Sequence, residues 1–160
     1  MIYNNHNQKL EKRKISAIIP CFNQGKYIDN AVDSVLKQTY QNFEIIIVND
    51  GSTDEFTNNL LKKYKKPKTK VYTTENHGLA SARNYGYSVS KGDFIQFLDA
   101  DDFLDSSKFK KQIKEFEEDS TLDVSYTNYK CFYEENGTYS EPMMQDLLGD
   151  TPYEDFIYKW

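Results

Sequence analysis

Residues 43–52 read Phe-Glu-Ile-Ile-Ile-Val-Asn-Asp-Gly-Ser. The near-continuous apolar run Phe43–Val48, broken abruptly by Asn49-Asp50-Gly51, marks a central parallel strand covered on both faces, because a strand with one wet face would alternate apolar with polar residues. Upstream, Ile15 to Pro20 is a second apolar run, and Pro20, which has no N–H to give a ladder, is expected to end it. Between the two runs Ile28, Ala31, Val32, Val35 and Leu36 fall on one face of a helix over 26–38. Downstream, Ser52 followed by Glu55 has capping-box spacing and starts a helix reaching about Lys63. A strand from Lys70 to Thr74, the loop 75–78, a small-residue helix from Leu79 to about Val89 and a strand from Phe94 to Leu98 follow. Phe109, Ile113 and Phe116 mark a further amphipathic helix, and Tyr126 to Phe132 is a strand entering a hairpin turn at Asn136-Gly137. This alternation predicts an α/β fold with a mostly parallel sheet flanked by helices.

The chain has 160 residues, which suits one domain over 14–160 behind a polar leader, residues 1–13. That leader lacks the apolar centre of a secretory signal, and no apolar run approaches the roughly 20 residues that span a bilayer. A cytoplasmic address is expected. Two cysteines, Cys21 and Cys131, with no Cys-x-x-Cys spacing, argue against zinc and give little support for disulfides. A net charge of −5 speaks against general affinity for nucleic acid. The lysine run Lys62, Lys63, Lys65, Lys66, Lys68 and Lys70 reads as a solvated helix end and loop rather than a polyanion patch. The last stretch, Met143 to Trp160, ends on Phe156, Ile157, Tyr158 and Trp160, an apolar group wanting a partner surface, for which a second copy of the chain is one candidate.

In an open parallel sheet the ligand crevice lies outside the carboxyl ends of the strands. Three marked clusters are expected there: Pro20-Cys21-Phe22-Asn23, Asn49-Asp50-Gly51-Ser52 and Asp99-Ala100-Asp101-Asp102. The last follows the apolar run 94–98 and crowds three carboxylates into one loop. Such crowding costs stability unless a cation, hydrogen bonds or water offset it, and an acidic turn capping the next helix is the alternative. Asp101, with Asp102, is a hard-oxygen ligand for Mg²⁺ or Mn²⁺ bridging to a diphosphate. Asp50 can accept from the imide N–H of a uracil-like base or from a ribose, and Phe22 offers a face to the ring. Arg83, in the segment Asn76 to Gly86, can pair with phosphate or lock a neighbouring carboxylate such as Asp99. His77 reads as a loop residue rather than a base.

Taken together, Ile18-Ile19-Pro20-Cys21-Phe22-Asn23, Tyr27-Ile28, Ser34 to Tyr40, Glu44 to Asp54, Gly78 to Gly86 and Asp99 to Asp102 resemble, in order, the inverting family 2 glycosyltransferases of the GT-A fold. The resemblance runs over about residues 14–118. It implies that Pro20 and Phe22 border the nucleotide, with Asn23 and Ala100 on the same nucleotide-sugar side. It further implies that Asp50 reads the base, that Asn76 and Arg83 lie near base and diphosphate, that Asp99 faces the ribose and shares the metal, and that Asp101 ligates Mn²⁺ or Mg²⁺. Cys21 and Phe22 stand where the family often has Thr and Tyr, so a hydroxyl contact is lost at each. The implied donor is a nucleotide sugar, UDP-sugar first, and the implied acceptor a glycan or lipid-linked glycan of a surface polysaccharide, which leaves room for peripheral membrane association.

The family's catalytic base, a carboxylate usually in a Glu-Asp pair, follows the hairpin. Here only Glu154 and Asp155 have the right letters, close to the chain end. The expectation is therefore a donor-binding half whose base lies beyond residue 160, either slow or without turnover as it stands. A nucleotidyltransferase would need a richer phosphate loop than Gly25-Lys26. A phosphoacceptor receiver domain would leave Pro20–Asn23 and Gly78–Gly86 unexplained.

Overall fold

The computed structural model of the chain describes residues 2–3 and 13–141. Strand β3 (Phe43–Asp50) is buried along its whole length, as its unbroken apolar run requires, and pairs in parallel with β2 (Ile15–Cys21) on one side and β4 (Thr69–Thr74) on the other. Strand β5 (Phe94–Phe97) lies on the far side of β2, also parallel. At its edge the short strand β1 (Ile2–Tyr3) pairs antiparallel with Ile95 and Phe94, giving the order β1-β5-β2-β3-β4. Two residues of the leader thus extend the sheet. Arg13, assigned to it, is buried, its guanidinium 3.6 Å from Asp93.

Helices α1 (Gly25–Leu36), α2 (Glu55–Lys62) and α4 (Lys108–Glu118) share one core with Ile15, Ala17, Ile19, Phe43, Ile45 and Ile47. Helix α3 (Leu79–Val89) packs with Ile18, Ile46, Val48 and Ile95 in the other. Side chains alternate across a strand, so odd positions of β2 and β3 face the first layer and even positions face α3. The crossover from β4 back to β5 runs opposite to the two before it, and a right-handed connection in that direction places its helix on the opposite face. Gly86 lets α3 approach closely, since a Cβ there would stand 2.4 Å from Ile18 Cγ2.

Pro20 does not end β2, which continues to Cys21. The Ile18 carbonyl accepts from Leu98 N–H at 3.0 Å, so by the two-residue alternation Pro20 turns its nitrogen to the β5 side, where pairing has already stopped at Ile18 and Phe97. The capping box is also corrected. Asp54 caps α2, accepting from Thr57 N–H at 2.8 Å, while the Ser52 hydroxyl accepts instead from Asn23 N–H at 3.0 Å. The lysine run is only partly solvated: Lys66 reaches Asp33 at 2.6 Å and Asp29 at 2.8 Å, and Lys68 lies 4.1 Å over the Phe43 ring.

At the opposite end of the sheet from the cleft, Glu44 accepts from Ser16 Oγ at 2.8 Å and Lys91 N–H at 2.7 Å, and pairs with Lys14 at 3.0 Å. Burial alone would raise its carboxyl, but the hydrogen bonds from Lys14, Ser16 and Lys91 outweigh that and hold it below its ordinary value of 4.5. A lowered folded-state value means stability that is complete above 4.5 and is lost as pH falls through the folded value. We expect urea midpoints of the wild type to fall through this window more steeply than those of Glu44→Gln. Parallel pH profiles would refute the assignment.

The chain divides into two compact units after Ser125. In the second unit the expected strand is confined to β6 (Phe132–Tyr133), paired antiparallel with β7 (Thr138–Tyr139); residues 126–131 form none. The turn falls at the expected Asn136-Gly137, with Gly137 at φ 67° and its N–H bonded to Tyr133 O at 2.9 Å.

Candidate functional site

Alternation along the strands decides which marked residues meet. Pro20 and Asp50 lie on the even, α3-facing side, so they converge with the first turn of α3; Asn49 is odd and turns to α2, where its Nδ2 donates to Asn58 Oδ1 at 3.0 Å. The result is a cleft of about 300 Å³ at the carboxyl ends of β2 and β3, lined by Pro20, Cys21, Phe22, Gln24, Asp50, Asn76, Gly78, Leu79 and Ala82.

Asp50 is buried, and its carboxylate accepts from His77 N–H at 3.1 Å and Gly78 N–H at 2.9 Å. Asn76 Nδ2 donates to the Asp50 carbonyl at 3.0 Å, so the loop before α3 is tied to the end of β3 by side chain and backbone together. Close approach is possible because Gly51 has φ +63° and no Cβ, which would stand 2.5 Å from Asn76 N. His77 contributes its backbone; its imidazole points outward beside Glu75 at 3.9 Å, in keeping with a loop residue. Across the cleft Phe22 is 44% and Leu79 49% exposed, two apolar side chains flanking an acceptor-rich floor. Burial pushes the Cys21 thiol up to about 11, which makes it an unreactive wall at neutral pH.

The strands bring Pro20, Phe22, Asp50 and Asn76 together in the cleft. Asn23, Arg83, Asp99, Ala100 and Asp101 are not part of its lining. Asn23, at φ 56°, is turned into the neighbouring loop: its Oδ1 accepts from Thr53 N–H at 2.8 Å and Asp54 N–H at 3.0 Å, and its Nδ2 donates to Thr53 Oγ1 at 3.0 Å. Both polar atoms of its amide are thus engaged within the protein. Arg83 donates to Asp99 Oδ1 at 2.6 Å and stacks 5.8 Å over the Phe97 ring, so of its two readings the structure displays the lock on a carboxylate. Ala100 is fully buried, a spacer that holds Asp99 and Asp101 apart.

Asp101 and Asp102 are exposed, and Asp102 N–H donates to Asp99 O at 3.0 Å, closing the turn. Although Asp102 reaches solvent, partial covering of its carboxyl by the protein first, then the charges of Asp101 and Asp99, raise it above its ordinary range. Among the described residues no group of three or more His, Cys, Asp or Glu is arranged to hold a metal on its own. Glu154 and Asp155, with the apolar group at the chain end, lie outside the described residues. No helix among the described residues is long and apolar enough to cross a membrane. Sequence reasoning missed Gln24, and it quoted Gly78, Leu79 and Ala82 within the segment Asn76 to Gly86 without giving them a contact.

The family model for Glycosyl transferase family 2 matches residues 16–159. The chain belongs to glycosyltransferase family 2. It is 42% identical over 135 residues to an uncharacterized glycosyltransferase of Rickettsia bellii, covering 84% of this chain and 19% of that protein. It is 42% identical over 118 residues to one of Haemophilus influenzae, covering 72% of this chain and 46% of the relative. Among solved structures, residues 1–349 of S. aureus TarS superpose with a TM-score of 0.58 at 31% identity over 66% of this chain and 32% of that one, and that fragment has been solved with UDP and with UDP-GlcNAc. The chain therefore spans less than half the length of each of these relatives, and its mostly parallel sheet flanked by helices is the GT-A arrangement.

Proposed function

We propose that this chain is the donor-binding part of a glycosyltransferase that takes a sugar from a nucleotide diphosphate sugar, with UDP the favoured nucleotide. The cleft carries the reading: an oriented, buried carboxylate at Asp50 faces the exposed Phe22 ring at the carboxyl ends of the central strands. Two fixed backbone donors leave Asp50 with lone pairs for the N–H of a base or a ribose hydroxyl, while Phe22 and Leu79 supply apolar faces for a planar ring. The TarS fragment's complexes with UDP and UDP-GlcNAc support the same choice of donor.

The donor set at 101–102 fits a hard divalent cation. Both carboxylates reach solvent, and one or two protein carboxylates suffice when a diphosphate supplies further oxygens. Asp99 fits less well, because Arg83 already holds it. When bound, Mn²⁺ or Mg²⁺ neutralises charge on the departing diphosphate. Inversion, a glycan or lipid-linked acceptor of a surface polysaccharide, and a cytoplasmic location at the membrane face follow from the family resemblance and belong to the same proposal.

A thermal-shift panel of UDP, GDP, TDP and CDP, with and without Mn²⁺, on the wild type and Asp101→Ala tests it. UDP with Mn²⁺ should stabilise the wild type by about 2.7 kcal/mol at roughly 100 times the dissociation constant. The shift should disappear in Asp101→Ala. Stabilisation by UDP alone, equal in both proteins, would remove the metal from the proposal. No shift with any nucleotide would overturn the donor site and favour a remnant of the fold without binding.

A further inference from the structure

We propose that Asn23 is a positioning residue of the donor site: by bolting the loop after β2 onto the turn after β3, it sets where the Phe22 ring stands relative to Asp50. The inference rests on the donor-site reading and adds a residue that acts without touching the ligand.

Three observations carry it. Asn23 holds a left-handed backbone conformation, φ 56°, which costs an asparagine less than most side chains but more than glycine. Its amide repays that through three hydrogen bonds to residues 53 and 54, while its own N–H donates to Ser52 Oγ. Ser52 is anchored in turn, its N–H donating to Asn49 Oδ1 at 3.1 Å and its carbonyl accepting from Asn58 Nδ2 at 2.7 Å. The clamp therefore joins the residue after Phe22 to the turn that follows Asp50. The loop that carries Phe22 and the turn that follows Asp50 are held together by it.

Phe22 is only about half covered by the protein, at 44% exposure, so its direction depends more on the backbone that carries it than that of a core ring would. Releasing that backbone leaves binding to supply the ordering, a cost set against affinity rather than against folding. Thr53 is exposed and Asp54 half-buried, so their N–H groups can turn to water if Asn23 is shortened.

The test is UDP affinity by titration calorimetry on the full chain with Mn²⁺, alongside melting temperatures, for Asn23→Gly, Asn23→Asp, Phe22→Leu and the double variant Phe22→Leu/Asn23→Gly. Glycine accepts the left-handed conformation without strain but removes the clamp; aspartate keeps the oxygen that accepts from residues 53 and 54. We expect Asn23→Gly to lose about tenfold in affinity with little change in melting temperature, and Asn23→Asp to stay within about threefold of wild type. In the Phe22→Leu background, Asn23→Gly should weaken binding by clearly less than it does alone. Wild-type affinity in Asn23→Gly, aspartate as weak as glycine, or an undiminished effect in the Phe22→Leu background would each overturn the inference while leaving the donor site standing. Failure of the wild type to bind UDP would overturn the donor-site reading and this inference with it.

Discussion

Gly51→Ala is expected to destabilise the first unit by about 2–5 kcal/mol, the sum of a left-handed penalty and the repulsion of an extra methyl in a closed space. The methyl would stand 2.5 Å from Asn76 N and 3.1 Å from Asn76 Cα, backbone atoms that cannot rotate away. The loop 76–78 must therefore move, and it is the loop whose N–H groups orient Asp50. Nucleotide stabilisation should fall together with folding stability. Gly78→Ala separates the two causes: Gly78 also has positive φ, +85°, but nothing lies within 4 Å of its missing Cβ. That variant should lose about 1–3 kcal/mol from backbone strain alone, since φ 85° with ψ 167° is a region essentially reserved to glycine. Equal losses in urea unfolding of the two variants would show that the Asn76 contact is not what fixes Gly51.

Phe109→Ala should cost about 3–5 kcal/mol, the range for emptying a large aromatic site in a closed core. Phe109 is fully buried in the first turn of α4, its ring 6.0 Å from Phe43 in an edge-to-face arrangement, and its N–H donates to Gln38 Oε1 at 3.0 Å. Gln38 also donates to the Asp105 carbonyl at 2.7 Å, and Thr39 N–H donates to Ser106 O at 2.8 Å. The same locus pins the segment leading away from the acidic turn. Loss of Phe109 should for that reason weaken any Mn²⁺-dependent part of nucleotide binding more than the metal-independent part. Phe56→Ala, removing a ring that is 61% exposed, should change stability by less than about 0.5 kcal/mol. A loss below about 1 kcal/mol at Phe109 would mean that the core there can collapse around the gap.

Elements whose signal is a long apolar period were legible in the sequence. Phe43–Val48 could be buried on both faces only as a central strand, and the small-residue helix from Leu79 to Val89 was found at its full length. Elements decided by competition among short polar side chains were not. Ser52 and Asp54 are both competent caps, and which one caps α2 depends on Asn23, which is distant in sequence and takes Ser52 for its own N–H. Pro20 was misjudged for a similar reason: a missing N–H matters only on a side where a partner strand still runs, and the end of β5 is not written in β2.

The family, the succession of strand and helix segments and the loops expected at the strands' carboxyl ends are all written in periodicity and in motifs carried by contiguous residues. Tertiary structure alone decided the division of labour within those loops. Asp50 and Asn76 meet Phe22 in one cleft, whereas Asn23 is drawn into the adjoining turn and Arg83 closes on Asp99. Residue type gives a polar group's capacity to bond, but its partner is the nearest unsatisfied group in space, and nearness is fixed only when β2, β3, β5 and α3 have packed.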